Sequence, residues 1–279
     1  MTSQEITYKE IRALFARKRN RDAWKGDFGR ILVIAGSKGM AGAAILCGRG
    51  ALRAGAGLVT FFVPDELVPI VQCAVPEATC MVTPLSPDAL SVYDAIAIGP
   101  GLGVTAKTRD MVLYVLENYG GKFVLDADAL NIIANSNVKL DTDTIITPHP
   151  GEAARLLGTN TAVVQAKREA SAAFLAEKYG CVAVLKGAGT LVAVTEPSLE
   201  LYINPTGNPG MATGGSGDVL TGVIASFAAQ GMSSLTAALA GVFVHGFAGD
   251  LAADLIGENG LTADDLPVSV AKALKQISK

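Results

Sequence analysis

Short apolar runs, each closed by glycine, proline or aspartate and followed by a stretch at helical spacing, recur along almost the whole chain. "RILVIAG" (30–36), "LVTFFV" (58–63), "DAIAIGPG" (94–101), "KFVLDADAL" (122–130), "TIITPHPGE" (144–152) and "CVAVLKGAGT" (181–190) read as strands running into loops. Residues 42–55, 65–73, 105–118, 161–179, 217–230 and 234–256 read as helices, and 190–203 as a β-hairpin turning at Pro197 and Ser198. Apolar runs without alternation belong to strands buried on both faces, and repeated β–α succession gives parallel neighbours joined by crossover helices. The expected architecture is therefore a three-layer α/β/α fold with a mainly parallel central sheet. The chain has 279 residues, 50% of them hydrophobic, with no internal repeat or long linker. A single domain over residues 1–279 is expected.

Charge and apolarity remove several function classes. The formal net charge is -3 with pI ≈ 5.5, and Lys and Arg are scattered. That leaves no basic footprint for nucleic acid. Mean hydropathy is +0.38, but Gly, Asp or Pro interrupts the apolar runs before the length of a membrane span, so no membrane association is expected. The charged opening "MTSQEITYKEIRALFARKRNRD" lacks the apolar core of a signal peptide and points to a cytoplasmic protein. Cys47, Cys73, Cys80 and Cys181 form no CxxC pair and read as packing thiols. His149 and His245 are the only histidines, so a Cys/His zinc site is not expected.

In a parallel sheet, ligands sit beyond the carboxyl ends of the strands. The polar signals fall there: "GSKG", "GPGLG", "DADALN", "TPHPGE", "KGAGT" and "NPTGNPGMATGGSGDVLTG" (204–222). Loops gathered at one sheet edge would surround a single cleft. The last stretch is almost bare backbone, and its only acid is Asp218. Glycine lets amide N–H groups approach a ligand closely. After Gly217, the residues Val219, Leu220, Val223, Ile224 and Phe227 follow at helical spacing. An amide-rich loop thus runs into a helix start, where the dipole attracts anions. Amides around an anion, beside a carboxylate that can take a proton, suit attack of a substrate hydroxyl on a phosphate.

Each signal also has a plainer reading. Asp218 can be a helix-start acid stabilised by ~0.3–1 kcal/mol through the dipole. Lys186 either neutralises a diphosphate, with Thr190 and loop amides adding hydrogen bonds, or is a solvated strand-end lysine. Glu152 either complements a helix dipole or contacts magnesium through water. His149 either packs in its loop or touches substrate. Asp126, Asp128 and Asn131 can cap the next helix, although Asp126 at a strand end points toward the cleft. "GPGLGVT" (99–105) lacks the third glycine of a Rossmann fingerprint, while Asp126 lies near the position of a ribose-binding acid; a tight turn at Gly99 and Pro100 is the alternative. No GxxxxGK[ST] sequence occurs, which excludes a P-loop as far as motifs allow.

Together these segments carry a family resemblance. "GGSGDVLTG" resembles the anion-hole motif of the ribokinase-like superfamily, in which such an aspartate is the base of phosphoryl transfer. Within it, "KGDFGRILVIAGSKGMAGAAILCGRGALRAGAGLV", "IGPGLG", "LDADALN", "TPHPGEAARLLG", "KGAGT" and "NPGMATGGSGDVLTG" resemble the NAD(P)H-hydrate dehydratases over roughly residues 25–250. The resemblance implies a ribokinase-like fold and a carbon–oxygen lyase that repairs damaged cofactor. Hydrated NADH or NADPH (NADHX, NADPHX) would be dehydrated with ADP converted to AMP and phosphate, Mg2+ as cofactor and Asp218 as base. It also implies that Lys186, Gly187, Ala188, Gly189, Thr190, Gly215 and Gly217 meet the nucleotide, and that Ala43, Gly101, Gly103, Asp126, His149 and Asp218 meet the hydrate. Many members carry a second, epimerising domain; it is not expected in this chain, so a separate epimerase is expected to supply the usable epimer. A homo-oligomer, taken as a tetramer, is expected mainly from the resemblance; the small-residue helix "AGAAILCGRGALRAGAG" allows close packing within or between subunits. Trp24 stands where the family pattern has histidine, and is expected to alter the edge of the site. A ribokinase-like kinase for a vitamin alcohol is the alternative, ahead of a dinucleotide-dependent oxidoreductase and a nucleotide sensor without turnover.

Overall fold

The computed structural model describes residues 3–16, 19–136 and 138–279. Among these, the strands are β1 (Gln4–Glu5), β2 (Arg30–Ile34), β3 (Leu58–Phe62), β4 (Thr79–Cys80), β5 (Ala95–Ile98), β6 (Lys122–Leu125), β7 (Thr144–Ile146), β8 (Val182–Leu185), β9 (Leu191–Val194) and β10 (Glu200–Ile203). They form one sheet in the order β1-β10-β9-β8-β7-β6-β5-β2-β3-β4. β9 runs antiparallel to β8 and β10, closing the expected hairpin, and every other pair is parallel.

Side chains alternate between two cores because successive Cβ atoms leave opposite faces of a strand. On β2, Ile31 and Val33 enter one cluster and Leu32 and Ile34 the other; on β5, Ala95 and Ala97 part from Ile96 and Ile98 in the same way. The first face is covered by α1 (Tyr8–Phe15), α2 (Ala41–Arg53) and α3 (Val68–Ala74), and by α10 (Ser216–Ala229), α11 (Ser234–Ile256) and α12 (Asp265–Ile277). The second is covered by α4 (Pro87–Leu90), α5 (Ala106–Asn118), α6 (Asp128–Ile133), α7 (Pro150–Leu157), α8 (Thr161–Ala166) and α9 (Arg168–Tyr179). Three layers result, as the alternation predicts.

Four expectations need correction. The single helix over 161–179 is two, because Lys167 leaves helical geometry at φ -134, ψ 50. The break lets Arg168 turn toward the loop after β8. Second, α11 is 23 residues long with a mean hydropathy of 1.4 in its most apolar window, long and apolar enough to cross a membrane. Its glycines do not end it, but 67% of that window is buried against the rest of the chain, as in a core helix. Third, Cys73 is exposed and is not a packing thiol, whereas Cys47 and Cys181 are buried. Fourth, Trp24 does not reach the edge of the site. It is exposed and stands before Arg30, so it lies at the amino ends of the parallel strands, with its ring against Gly26.

The small-residue stripe of α2 is used inside the chain, against α10. A Cβ on Gly222 would lie 1.9 Å from the Cys47 carbonyl oxygen, and one on Gly50 would lie 2.5 Å from that of Val219. The two backbones touch, and only glycine fits at either crossing point.

Candidate active site

Strand order sets the order of the functional loops. From β8 through β7, β6 and β5 to β2, the sheet edge presents residues 186–190, 147–152, 126–128, 99–103 and 35–40 in turn. The chain first winds outward from β2 to β4, then returns to place β5 on the other side of β2 and winds the opposite way. A crevice forms where such windings diverge. Here the Gly36 N–H donates to the Pro100 carbonyl at 2.8 Å, and Ser37 Oγ donates to the Gly101 carbonyl at 2.8 Å. Ala43, Gly101 and Gly103 gather at this point: a Cβ on Gly101 would meet Ala43 Cβ at 2.9 Å. The Gly103 N–H donates to Asp128 Oδ2 at 2.7 Å, tying the crevice to the loop after β6.

Next to it opens a cleft of about 730 Å³, lined by Asp126, His149, Glu152, residues 186–190, residues 204–209 and the start of α10. Ala43, Gly101 and Gly103 do not line it; they border the adjoining crevice. At its floor Lys186 Nζ donates to Asp126 Oδ1 at 2.6 Å, and Thr221 Oγ1 donates to Asp126 Oδ2 at 2.8 Å. Asp126 is 1% exposed, so a carboxylate that is costly to bury is paired and hydrogen-bonded. Burial alone would pull the Lys186 pKa down, but Asp126, Glu152 and Asp218 outweigh it and the net direction is up. The ammonium is a firm positive charge. The preceding residue of α6 is Ala127, a non-glycine residue at φ 49 beside Asp126 in the cleft wall.

Gly215 caps the start of α10, and its φ of 95 makes the abrupt entry possible. A Cβ there would also meet Leu46 Cδ1 at 2.4 Å. Ser216 is the first helical residue and not the cap, so its side chain is left free of capping duty. A Cβ on Gly217 would come within 3.1 Å of Lys186 Nζ, which places the first amides of α10 next to the ammonium. The next residue, Asp218, lines the same cleft. Burial, then the nearby Asp126 charge, raise Asp218 to about 7; Lys186 opposes them, and Glu152 and Asp128 add to the rise.

The loop after β7 is organised by a reciprocal cap. Glu152 Oε2 accepts from the His149 N–H at 2.8 Å, and His149 Nδ1 accepts from the Gly151 N–H at 3.0 Å. With Nδ1 accepting, a neutral His149 carries its proton on Nε2, which lies 3.4 Å from Glu152 Oε1. Burial and the Lys186 charge hold the His149 pKa below its ordinary value, so the ring is neutral at pH 7. Burial lifts Glu152 to about 6 against the pull of Lys186. Among the described residues, no three His, Cys, Asp or Glu side chains converge as ligands of one ion.

The glycine-rich loop after β8 is pinned by a residue that sequence reasoning missed. Arg168 donates to the carbonyls of Leu185, Lys186 and Gly189 at 3.3 Å each. Its signal was hidden because 161–179 read as one helix, which would have pointed the guanidinium elsewhere. Thr190 Oγ1 donates to the Gly187 carbonyl at 2.9 Å and closes the loop. His245 was weighed only as a zinc ligand, yet it lines the cleft from the middle of α11. A polar residue in the middle of the otherwise apolar run 237–249 was the available clue.

Residues 31–271 match the family model for NAD(P)H-hydrate dehydratase. The chain belongs to this family. The dehydratase family includes a bifunctional NAD(P)H-hydrate repair enzyme of Coxiella burnetii, 47% identical over 252 residues, which cover 89% of this chain and 51% of that protein. An ADP-dependent (S)-NAD(P)H-hydrate dehydratase of Neisseria meningitidis is 39% identical over 93% of this chain and 88% of its own. The crystal structure of the ADP/ATP-dependent NAD(P)H-hydrate dehydratase of Bacillus subtilis, co-crystallised with ATP and Mg2+, superposes with a TM-score of 0.90 at 33% identity, covering 99% of each chain. The chain spans about half the length of the bifunctional relatives it matches.

Proposed function

We propose that this chain, as one catalytic unit, dehydrates the (S)-hydrate of NADH or NADPH with ADP as phosphoryl donor, releasing AMP, phosphate and the reduced cofactor. The observation that carries the reading is a carboxylate poised near neutrality, Asp218, placed on the first turn of α10 beside Lys186 in one cleft. The family supplies the substrate class, and the relatives named for ADP supply the donor.

Asp218 takes the proton of the hydrate's hydroxyl as that oxygen attacks the β-phosphorus of ADP, and AMP leaves. The first amides of α10, at Gly215 and Gly217, stabilise charge on the transferring group. Phosphate is then the leaving group: the ring nitrogen's lone pair expels it as the carbon–oxygen bond breaks, and loss of a proton from the adjacent carbon restores the double bond. Lys186 through Thr190 hold the nucleotide. Ala43, Gly101, Gly103, Asp126 and His149 hold the hydrate, at the crevice and along the cleft wall that joins it. Magnesium, when bound with the nucleotide, would neutralise charge on its phosphates, and Glu152, whose Oε2 accepts from the His149 N–H, would hold it through water.

Product analysis by chromatography tests this reading. Stoichiometric AMP with recovery of reduced cofactor is expected. A stable phosphorylated product would instead make the chain a kinase.

A further inference from the structure

The loop after β5 is fastened to the loop after β6 at both of its ends. At Gly99 the backbones touch: a Cβ there would lie 1.8 Å from the Asp126 carbonyl oxygen. At Gly103 the fastening is a side chain. The Gly103 N–H donates to Asp128 Oδ2 at 2.7 Å, while its carbonyl accepts from Thr108 Oγ1 at 2.8 Å. The second Asp128 oxygen is held as well. Asn131 Nδ2 donates to Asp128 Oδ1 at 3.3 Å, and Arg155 of α7 donates through Nη1 to Asn131 Oδ1 at 2.9 Å. One carboxylate oxygen is thus steadied from α7, and the other is spent on a single backbone amide of the crevice.

Asp126 and Asp128 serve different places although one residue separates them. Asp126 meets Lys186 and Thr221 at the cleft floor, whereas Asp128 does not line that cleft and meets Gly103 instead. In regular extended chain, positions two apart share a face. Ala127, at φ 49 and ψ -116, breaks that alternation in a conformation that persists only where its surroundings hold it. The reaction described above uses Asp126 and leaves Asp128 without a part.

We propose that Asp128 is a positioning residue for the hydrate: it holds the Gly103 end of the crevice in its binding position and leaves the nucleotide end of the cleft untouched. The inference rests on the functional reading above, which puts the hydrate at Ala43, Gly101 and Gly103. Asp128 acts through Gly103 and touches no reacting atom. Without its carboxylate the Gly103 end of the loop samples other positions, and apparent affinity falls with the share that stays competent. A helix-start acid without this duty would act through its charge alone.

Calorimetry with hydrated NADH alone and with ADP alone, together with steady-state kinetics, separates these roles in variants checked by thermal melting. Asp128→Ala should raise both Kd and KM for hydrated NADH on the order of 10-fold, as for a loop competent about one tenth of the time. At saturating hydrate, kcat should change by less than about threefold, because bound substrate restores the loop. ADP affinity should stay within about twofold, since Asp126 keeps both of its partners. Asp128→Asn keeps an oxygen for the Gly103 N–H but not the charge, and should return hydrate affinity to within about threefold of wild type. Unchanged hydrate affinity in Asp128→Ala, an equal loss of ADP affinity, or Asp128→Asn as poor as Asp128→Ala would each overturn the proposal. Should Asp128→Ala fail to fold, Asp128→Ser, whose hydroxyl is too short to reach Gly103, takes its place with the same expected values. A wild-type protein that binds no hydrate would sink the functional reading and this inference with it. A wild type that binds hydrate no better than Asp128→Ala sinks this inference alone.

Discussion

Burial and the Asp126 carboxylate raise Asp218 to about 7 although Lys186 pulls the other way, so its proton is lost in the range where a general base is most useful. The base must be ionised to act, so kcat/KM is expected to rise with pH through about 7 and then level off. Asp218→Asn should flatten that limb and lower kcat by ~10²–10⁴-fold; a pH–rate profile unchanged by the substitution would remove Asp218 from the role. Stability should move the opposite way. A carboxylate whose folded pKa lies above its ordinary value of 3.8 binds more protons folded than unfolded between those two points, so stability falls as pH rises toward 7. Asp218→Asn is therefore expected to melt above wild type at pH 8, with the gap closing toward pH 4. Lys186→Ala should weaken ADP binding in calorimetry more than binding of the hydrate alone. It should also destabilise by about 3 kcal/mol, the lower end for breaking a buried pair, since Asp126 keeps its Thr221 bond. Denaturant melts read that loss, and unchanged stability would show that the pair is not structural. Asp218 and Lys186 were legible in the sequence because each ends or begins an element in a glycine-rich loop. The bond between Lys186 and Asp126 was not, because it joins positions 60 residues apart.

At the scale of elements, glycine marks where two helices touch. Gly222→Ala puts a methyl group 1.9 Å from the Cys47 carbonyl and must force α2 and α10 apart. A loss at or above the usual overpacking range of about 1–3 kcal/mol is expected. Gly42→Ala, also on α2 but with open space around it, should be neutral or stabilising by up to about 1 kcal/mol. Equal melting temperatures for the two variants would contradict the crossing. The strands were legible because apolar runs closed by glycine leave little else to form. The split at Lys167 was not, since apolar spacing continues across it and only the fold shows Arg168 turning to hold the loop after β8. Likewise, the small-residue stripe of α2 could have served a neighbouring subunit. Its use by α10 takes that support away from the expected homo-oligomer.

For the whole molecule, the sheet order gathers loops from five parallel strands along one edge, and everything at the other edge is remote from the chemistry. Trp24→Ala is accordingly expected to leave kcat/KM for the hydrate unchanged, and a change beyond about twofold would show that the amino edge communicates with the cleft. What the linear sequence hid at this scale is the separation of the crevice of Ala43, Gly101 and Gly103 from the larger cleft, since loop order along the edge depends on strand order. In the proposed reaction the hydrate's own hydroxyl, deprotonated by Asp218, attacks the donor's phosphorus and leaves as part of the phosphate. Isotope labelling addresses this directly. Hydrate carrying ¹⁸O at its hydroxyl is incubated with ADP, magnesium and the protein, and the released phosphate is analysed by mass spectrometry. One labelled oxygen per phosphate, matched to AMP and recovered reduced cofactor, is the predicted result; unlabelled phosphate with the label in water would contradict it.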